Sequence, residues 1–95
     1  MKRELMEVLI EHLPTRKEDA IKQKELSDIL GIQTRLVRLL VQQARKEGYS
    51  ICSTPYNGYW LSNKYQDVTE TVYVLQCQVN TLMNTITDLK RANDL

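Results

Sequence analysis

Glycine and proline are scarce in this 95-residue chain, which has three of the first and two of the second, and residues 59–95 contain neither. Gly31, Gly48 and Gly58 stand alone, so no glycine-rich loop is present to cradle a phosphate. Cysteine is nearly absent too: Cys52 and Cys77 lie far apart without companion ligands, which signals neither a disulfide framework nor a zinc site and leaves reduced thiols as the expectation. The one histidine, His12, has no Ser, Cys or carboxylate constellation around it and reads as an ordinary helix-end residue. An enzyme, a cofactor and a metal are therefore not expected. Net charge is only +1, which excludes a protein that coats a polyanion by bulk charge, so any electrostatic recognition has to be local. No apolar run reaches membrane-spanning length, and the basic Met1-Lys2-Arg3 is soon countered by Glu4, Glu7 and Glu11, whose helical spacing suits a solvated face. The chain is expected to be soluble and cytoplasmic.

The apolar residues that are present fall into a readable order. Leu5, Val8, Leu9 and Leu13 recur at helical spacing ahead of Pro14, giving a first helix. A polar loop follows over residues 15–19, and Ala20-Ile21 supplies a candidate short strand. A second helix is predicted over residues 23–30, stopped by Gly31, whose tolerance of positive φ suits a helix C-cap and a sharp turn. A third spans 34–47 and ends at Gly48. Leu26, Ile29, Leu30, Ile32, Val37, Leu40, Val41 and Ala44 are then placed to close one small core. Ile51-Cys52-Ser53 and Tyr59-Trp60-Leu61 read as two strands around Thr54-Pro55-Tyr56-Asn57-Gly58, because Pro followed by Asn-Gly is a strong turn signal. Of Tyr59 and Trp60, one is expected to face the core and the other solvent or the C-terminal helix.

With the apolar face of the third helix committed to the core, Arg35, Arg38 and Gln42 remain outward on one shared face. Guanidinium and amide groups suit phosphates and base edges, so this face is a candidate DNA-binding surface. Arg45 and Lys46, at the helix end, complement the helix dipole and read as structural. At the hairpin tip, Tyr56 and Asn57 are candidates for minor-groove or phosphate contact, although Asn57-Gly58 is also what a tight turn requires.

From residue 65 the rhythm changes to heptads. Tyr65, Val72, Val79 and Ile86 occupy a positions, and Val68, Leu75, Leu82 and Leu89 occupy d positions. β-Branched a with Leu d favours a parallel two-stranded coiled coil, so a homodimer is expected through Val68, Val72, Leu75, Val79, Leu82, Ile86 and Leu89. Gln76, Gln78, Met83, Thr85 and Ala92 at e and g are uncharged, which leaves an antiparallel pair or a tetramer open. The strand propensity of residues 72–79 makes a strand the alternative to the helix there. The fold class is thus α+β, three helices and a hairpin over residues 1–62, then a long coiled-coil helix over residues 63–95.

The stretch KELSDILGIQTRLVRLLVQQARKEGYSI followed by GYWL resembles the winged helix-turn-helix domains of bacterial and phage regulators, in particular the N-terminal module of biotin-ligase repressors. The likeness covers roughly residues 3–62 and rests on the Leu-Gly turn, Val37 at the centre of helix three, the Arg-x-x-Gly-Tyr exit and a glycine-led second strand. It implies that helix three is the recognition helix and the hairpin the wing, with Gln33, Thr34, Arg35, Arg38 and Gln42 facing DNA. Lys22 and Gln33 depart from it, standing where such domains commonly carry Ser or Thr as N-caps. No ligase domain follows, so biotin chemistry is not carried over. The expectation is a homodimeric, sequence-specific double-stranded DNA-binding protein acting as a small bacterial or phage-type transcriptional regulator. A replication, partition or excision factor is the alternative within DNA binding. A winged-helix protein-interaction module without DNA binding is the alternative outside it.

Overall fold

The structure, a computed structural model, describes residues 3–95. Its elements run α1 (Arg3–His12), a 3-10 turn (Lys17–Asp19), α2 (Gln23–Leu30), α3 (Thr34–Lys46), β1 (Ile51–Thr54), β2 (Gly58–Leu61) and α4 (Tyr65–Ala92). The class is α+β. Three helices followed by an antiparallel hairpin are compatible with a winged helix. Residues 1 and 2, the start of the expected first domain, lie outside the described residues.

The core is closed by Met6, Leu9, Leu13, Leu26, Val37, Leu40, Val41, Ala44 and Ile51. On α3 these recur at three- and four-residue steps, so one side of the helix is apolar and the other free. The expected core set needs a correction at Ile29, which is 40% exposed. α2 has only two turns and touches the core along Leu26 and Leu30, which rolls Ile29 to the rim. On α1 the deepest residues are Met6 and Leu9, while Leu5 and Val8 are only partly buried.

The turn between α2 and α3 follows from Gly31. Its φ of 66° is left-handed, and its N–H donates to the Ser27 carbonyl. Ile32 N–H donates to the same carbonyl at 3.2 Å, while the Ser27 hydroxyl donates to the Ile32 carbonyl. Lys22 and Gln33 are the N-caps of α2 and α3, and neither caps through its side chain.

β1 and β2 pair antiparallel, with Ile51 opposite Leu61, Cys52 opposite Trp60 and Thr54 opposite Gly58. The expected strand at Ala20-Ile21 is a single bridge, in which Ile21 exchanges backbone hydrogen bonds with Tyr59 at 2.9 and 2.8 Å. Gly58 is needed at this junction: its φ is +103°, and a Cβ there would collide with the Ile21 carbonyl.

Because side chains alternate across a strand, the hairpin serves two layers. Ile51, Tyr59 and Leu61 pack toward α1–α3. Cys52 and Trp60 point the other way, toward α4. Trp60 is fully buried, and its indole N–H donates to the Asp67 carboxylate at 3.2 Å. Ser62 Oγ donates to the same oxygen at 2.7 Å, and the Ser53 N–H donates to Thr71 Oγ1 at 3.1 Å. Lys17 closes the rim with an ion pair to Glu70 at 2.8 Å.

Residues 72–79, the alternative strand, lie within the 28-residue α4. Val74 is the last half-buried residue of that helix, and everything after it is exposed. Residues 62–64 connect β2 to α4, and the first turns of α4 pack as part of the globular body. Among the described residues no helix is long and apolar enough to cross a membrane.

Candidate nucleic-acid interface

The packing that buries Val37, Leu40, Val41 and Ala44 leaves Arg35, Arg38 and Gln42 exposed on successive turns of α3. They form one wall of an open groove of about 1260 Å³, together with Leu39 and Arg45. The hairpin contributes Ser53, Thr54, Pro55, Gly58 and Tyr59, and the start of α2 contributes Lys22, Gln23 and Lys24. Val74, Leu75, Cys77, Gln78, Thr81 and Leu82 of α4 complete the lining. The groove thus gathers five cationic residues, Lys22, Lys24, Arg35, Arg38 and Arg45, and no Asp or Glu.

Local contacts fix Gln23 and Arg45. The Gln23 amide donates to the Thr34 carbonyl at 2.8 Å, tying the Lys22–Lys24 rim to the start of α3. Arg45 donates from Nε to the Ile51 carbonyl at 2.9 Å and from Nη2 to Ser53 Oγ at 3.2 Å, which locks the end of α3 onto β1. Burial pushes its pKa down, yet a guanidinium stays charged at neutral pH. Its reading as structural agrees with these bonds, although it also lines the groove. The Tyr59 hydroxyl is pushed up by burial, against an opposite pull from Arg45 and Arg38, so it is a neutral hydroxyl beside the two cations.

The other sequence candidates are more scattered. Gln33 and Arg35 line a second hollow of about 730 Å³ at the α2–α3 turn. Thr34 is exposed at the first position of α3, where its carbonyl is taken by Gln23. Tyr56 is 83% exposed at the hairpin tip, with Lys22 Nζ 5.7 Å from its ring centroid, a cation–π distance. It does not line the groove, and neither does Asn57. The Asn57 N–H donates to Thr54 Oγ1 at 2.9 Å, and that hydroxyl donates to Asn57 Oδ1 at 2.7 Å. Asn57 is therefore occupied in the turn.

Lys22, Lys24 and the α4 wall are the groove residues that sequence reasoning missed. The Lys-Gln-Lys run at the start of α2 was a visible signal. On the α4 wall Leu75 and Leu82 belong to the heptad seam, whereas Val74, Gln78 and Thr81 gave no signal, because they continue the row of Asp67 and Thr71, which is offset from that seam. Of the seam, Val68 is half-buried against the body, while Val72, Leu75, Val79, Leu82, Ile86 and Leu89 are 39% to 63% exposed along the free part of the helix. Among the described residues no cluster of three or more His, Cys, Asp or Glu is placed to hold a metal. Compared with models of known families, with characterised proteins and with solved structures, the chain matches none.

Proposed function

We propose that this chain is a winged helix-turn-helix protein that binds double-stranded DNA sequence-specifically, laying α3 in the major groove with the hairpin alongside, and that it acts as a small transcriptional regulator. The observation that carries the reading is the groove lined by Lys22, Lys24, Arg35, Arg38 and Arg45 and by no carboxylate, although Lys24 lies 4.0 Å from Asp28 outside that lining, in a chain whose net charge is only +1. Cations gathered on one surface concentrate the field that a phosphate backbone meets. Arg35, Arg38 and Gln42 add side chains that pair with guanine and adenine edges.

The chain is proposed to act as a homodimer through the α4 seam. Occupation by a second copy follows from the seam's own chemistry: between Val72 and Ile86 it carries no charge to select a dissimilar partner, and its Val/Ile a and Leu d residues are self-complementary. Promoter occlusion is the simplest mechanism.

The test is fluorescence anisotropy of random duplex DNA at low salt, then across a salt series, followed by selection of bound sites from a random library. Binding that falls steeply with salt and a recovered consensus are the expected results. A protein-docking module is favoured by the apolar part of the groove, Leu39, Val74, Leu75 and Leu82. It predicts no salt-dependent DNA binding at all.

A further inference from the structure

Gln78 and Thr81 of α4 have no task in the proposed DNA contact, although they line the same groove as Arg35, Arg38 and Gln42. Both continue the row begun by Asp67, Thr71 and Val74, whose alternating steps of four and three residues keep it on one side of the helix. The early members of that row are pinned: Asp67 accepts from Trp60 and Ser62, and Thr71 accepts from the backbone of Ser53. The contacts that dock α4 therefore also hold Gln78 and Thr81 in place.

Charge supplies a second observation. Charged residues make up 26% of the chain, yet none lies between Glu70 and Asp88. A carboxylate on this wall would repel a phosphate backbone, and the wall presents only neutral groups.

We propose that this α4 face is a second DNA-contacting surface. With α3 in the major groove, the sugar-phosphate ridge bordering that groove lies between α3 and α4. The Gln78 amide and the Thr81 hydroxyl, which otherwise donates to the Cys77 carbonyl at 3.0 Å, donate to phosphate oxygens of that ridge. The inference rests on the DNA reading of the groove. Neutral donors of this kind set the register of the duplex without releasing further counterions. Val72, Val79 and Ile86 of the seam lie roughly a quarter to half a turn around the helix from Gln78 and Thr81, whereas Leu75 and Leu82 belong to both the seam and the groove lining, so the wall borders the face on which two copies would pair.

The test measures binding of full-length protein to its selected duplex and to random duplex across a salt series, with circular dichroism as the fold control. Both residues are exposed, so substitution there leaves the core intact. Gln78→Lys is expected to tighten binding to both duplexes and to steepen the slope of log K against log salt by about 1. Gln78→Glu is expected to weaken both by about tenfold or more through repulsion of the phosphates. Gln78→Ala combined with Thr81→Val should weaken both about three- to tenfold with the slope unchanged. If all three variants bind like wild type while Arg38→Ala still weakens binding, the wall is not a contact surface and the groove reading stands. A changed sequence preference in Gln78→Lys would also overturn the backbone role. If wild type shows no salt-dependent binding, the DNA reading itself falls and this inference falls with it.

Discussion

Between Trp60 and Asp67 a partly exposed carboxylate satisfies a fully buried indole N–H. Asp67→Ala strands that donor, which costs about 1–3 kcal/mol. The expected readout is a lower urea midpoint and a red-shifted emission from Trp60, the only tryptophan. The same pair gives a pH dependence. The Ser62 hydroxyl first and the Trp60 indole second hold the Asp67 carboxyl below its ordinary pKa, so the fold favours the ionised form. That contribution is complete above the unfolded value near 4 and is lost as pH falls through the lower folded value. Trp60 emission should therefore hold steady from pH 7 to about 5 and shift red in more acid solution, whereas in Asp67→Ala this step should vanish. At the groove, Arg38→Ala should weaken specific binding by about 1–3 kcal/mol if Arg38 contacts a base edge, and Lys46→Ala far less; equal effects in an anisotropy titration would misplace the face. The outward positions Arg35, Arg38 and Gln42 were legible because helical periodicity alone assigns them once Val37, Leu40 and Val41 go inward. Lys22 and Lys24 were visible as a basic run but not as part of this surface, since their placement beside α3 involves the Gln23–Thr34 contact across a turn.

Among the elements, the hairpin shows how far turn chemistry carries. Pro55, Asn57 and Gly58 located it, and the strands extend one residue beyond the apolar runs, to Thr54 and back to Gly58. The strand expected at Ala20-Ile21 shrank to one bridge. Its register is set by how closely Ile21 approaches Gly58, a tertiary fact that local propensity does not contain. That approach gives a prediction. Gly58→Ala combines a positive φ of +103° with a collision against backbone that has no room to yield, and should cost about 2 kcal/mol or more. Thermal unfolding followed by circular dichroism measures it; a melting point unchanged within a degree would show that the bridge does not constrain the hairpin. The 28 residues of α4 span about 42 Å as a helix. Its helical state was legible from heptads despite the strand propensity of residues 72–79, because eight consecutive a and d matches outweigh local preference. Its docking was not legible. The row that meets the sheet is mostly polar, and hydrogen bonds accepted by Asp67 and Thr71 leave no hydrophobic period to find.

At the scale of the whole molecule, five cations in one groove against a net charge of +1 leave the remainder of the chain at −4. On the proposed DNA reading, such a protein would engage the polyanion in one orientation, and a single copy would make few phosphate contacts, so a modest and strongly salt-dependent affinity is expected. The proposed pairing through α4 would answer that weakness: with one copy docked, the second would dock intramolecularly, which is expected to raise affinity by about a hundredfold or more without a new contact. Two heads related by a two-fold should then select half-sites separated by about one helical turn or a multiple of it. Ile86→Asp separates this effect from the groove. Residue 86 is a half-exposed a position that does not line the groove, so the change places a charge in the seam and leaves Arg35, Arg38 and Gln78 untouched. In sedimentation velocity at micromolar concentration, wild type should run as a dimer and Ile86→Asp as a monomer. The variant should retain wild-type affinity for one half-site and lose about a hundredfold on the paired operator. Wild type sedimenting as a monomer would remove the seam from the account, while a dimeric Ile86→Asp would place the interface elsewhere on α4.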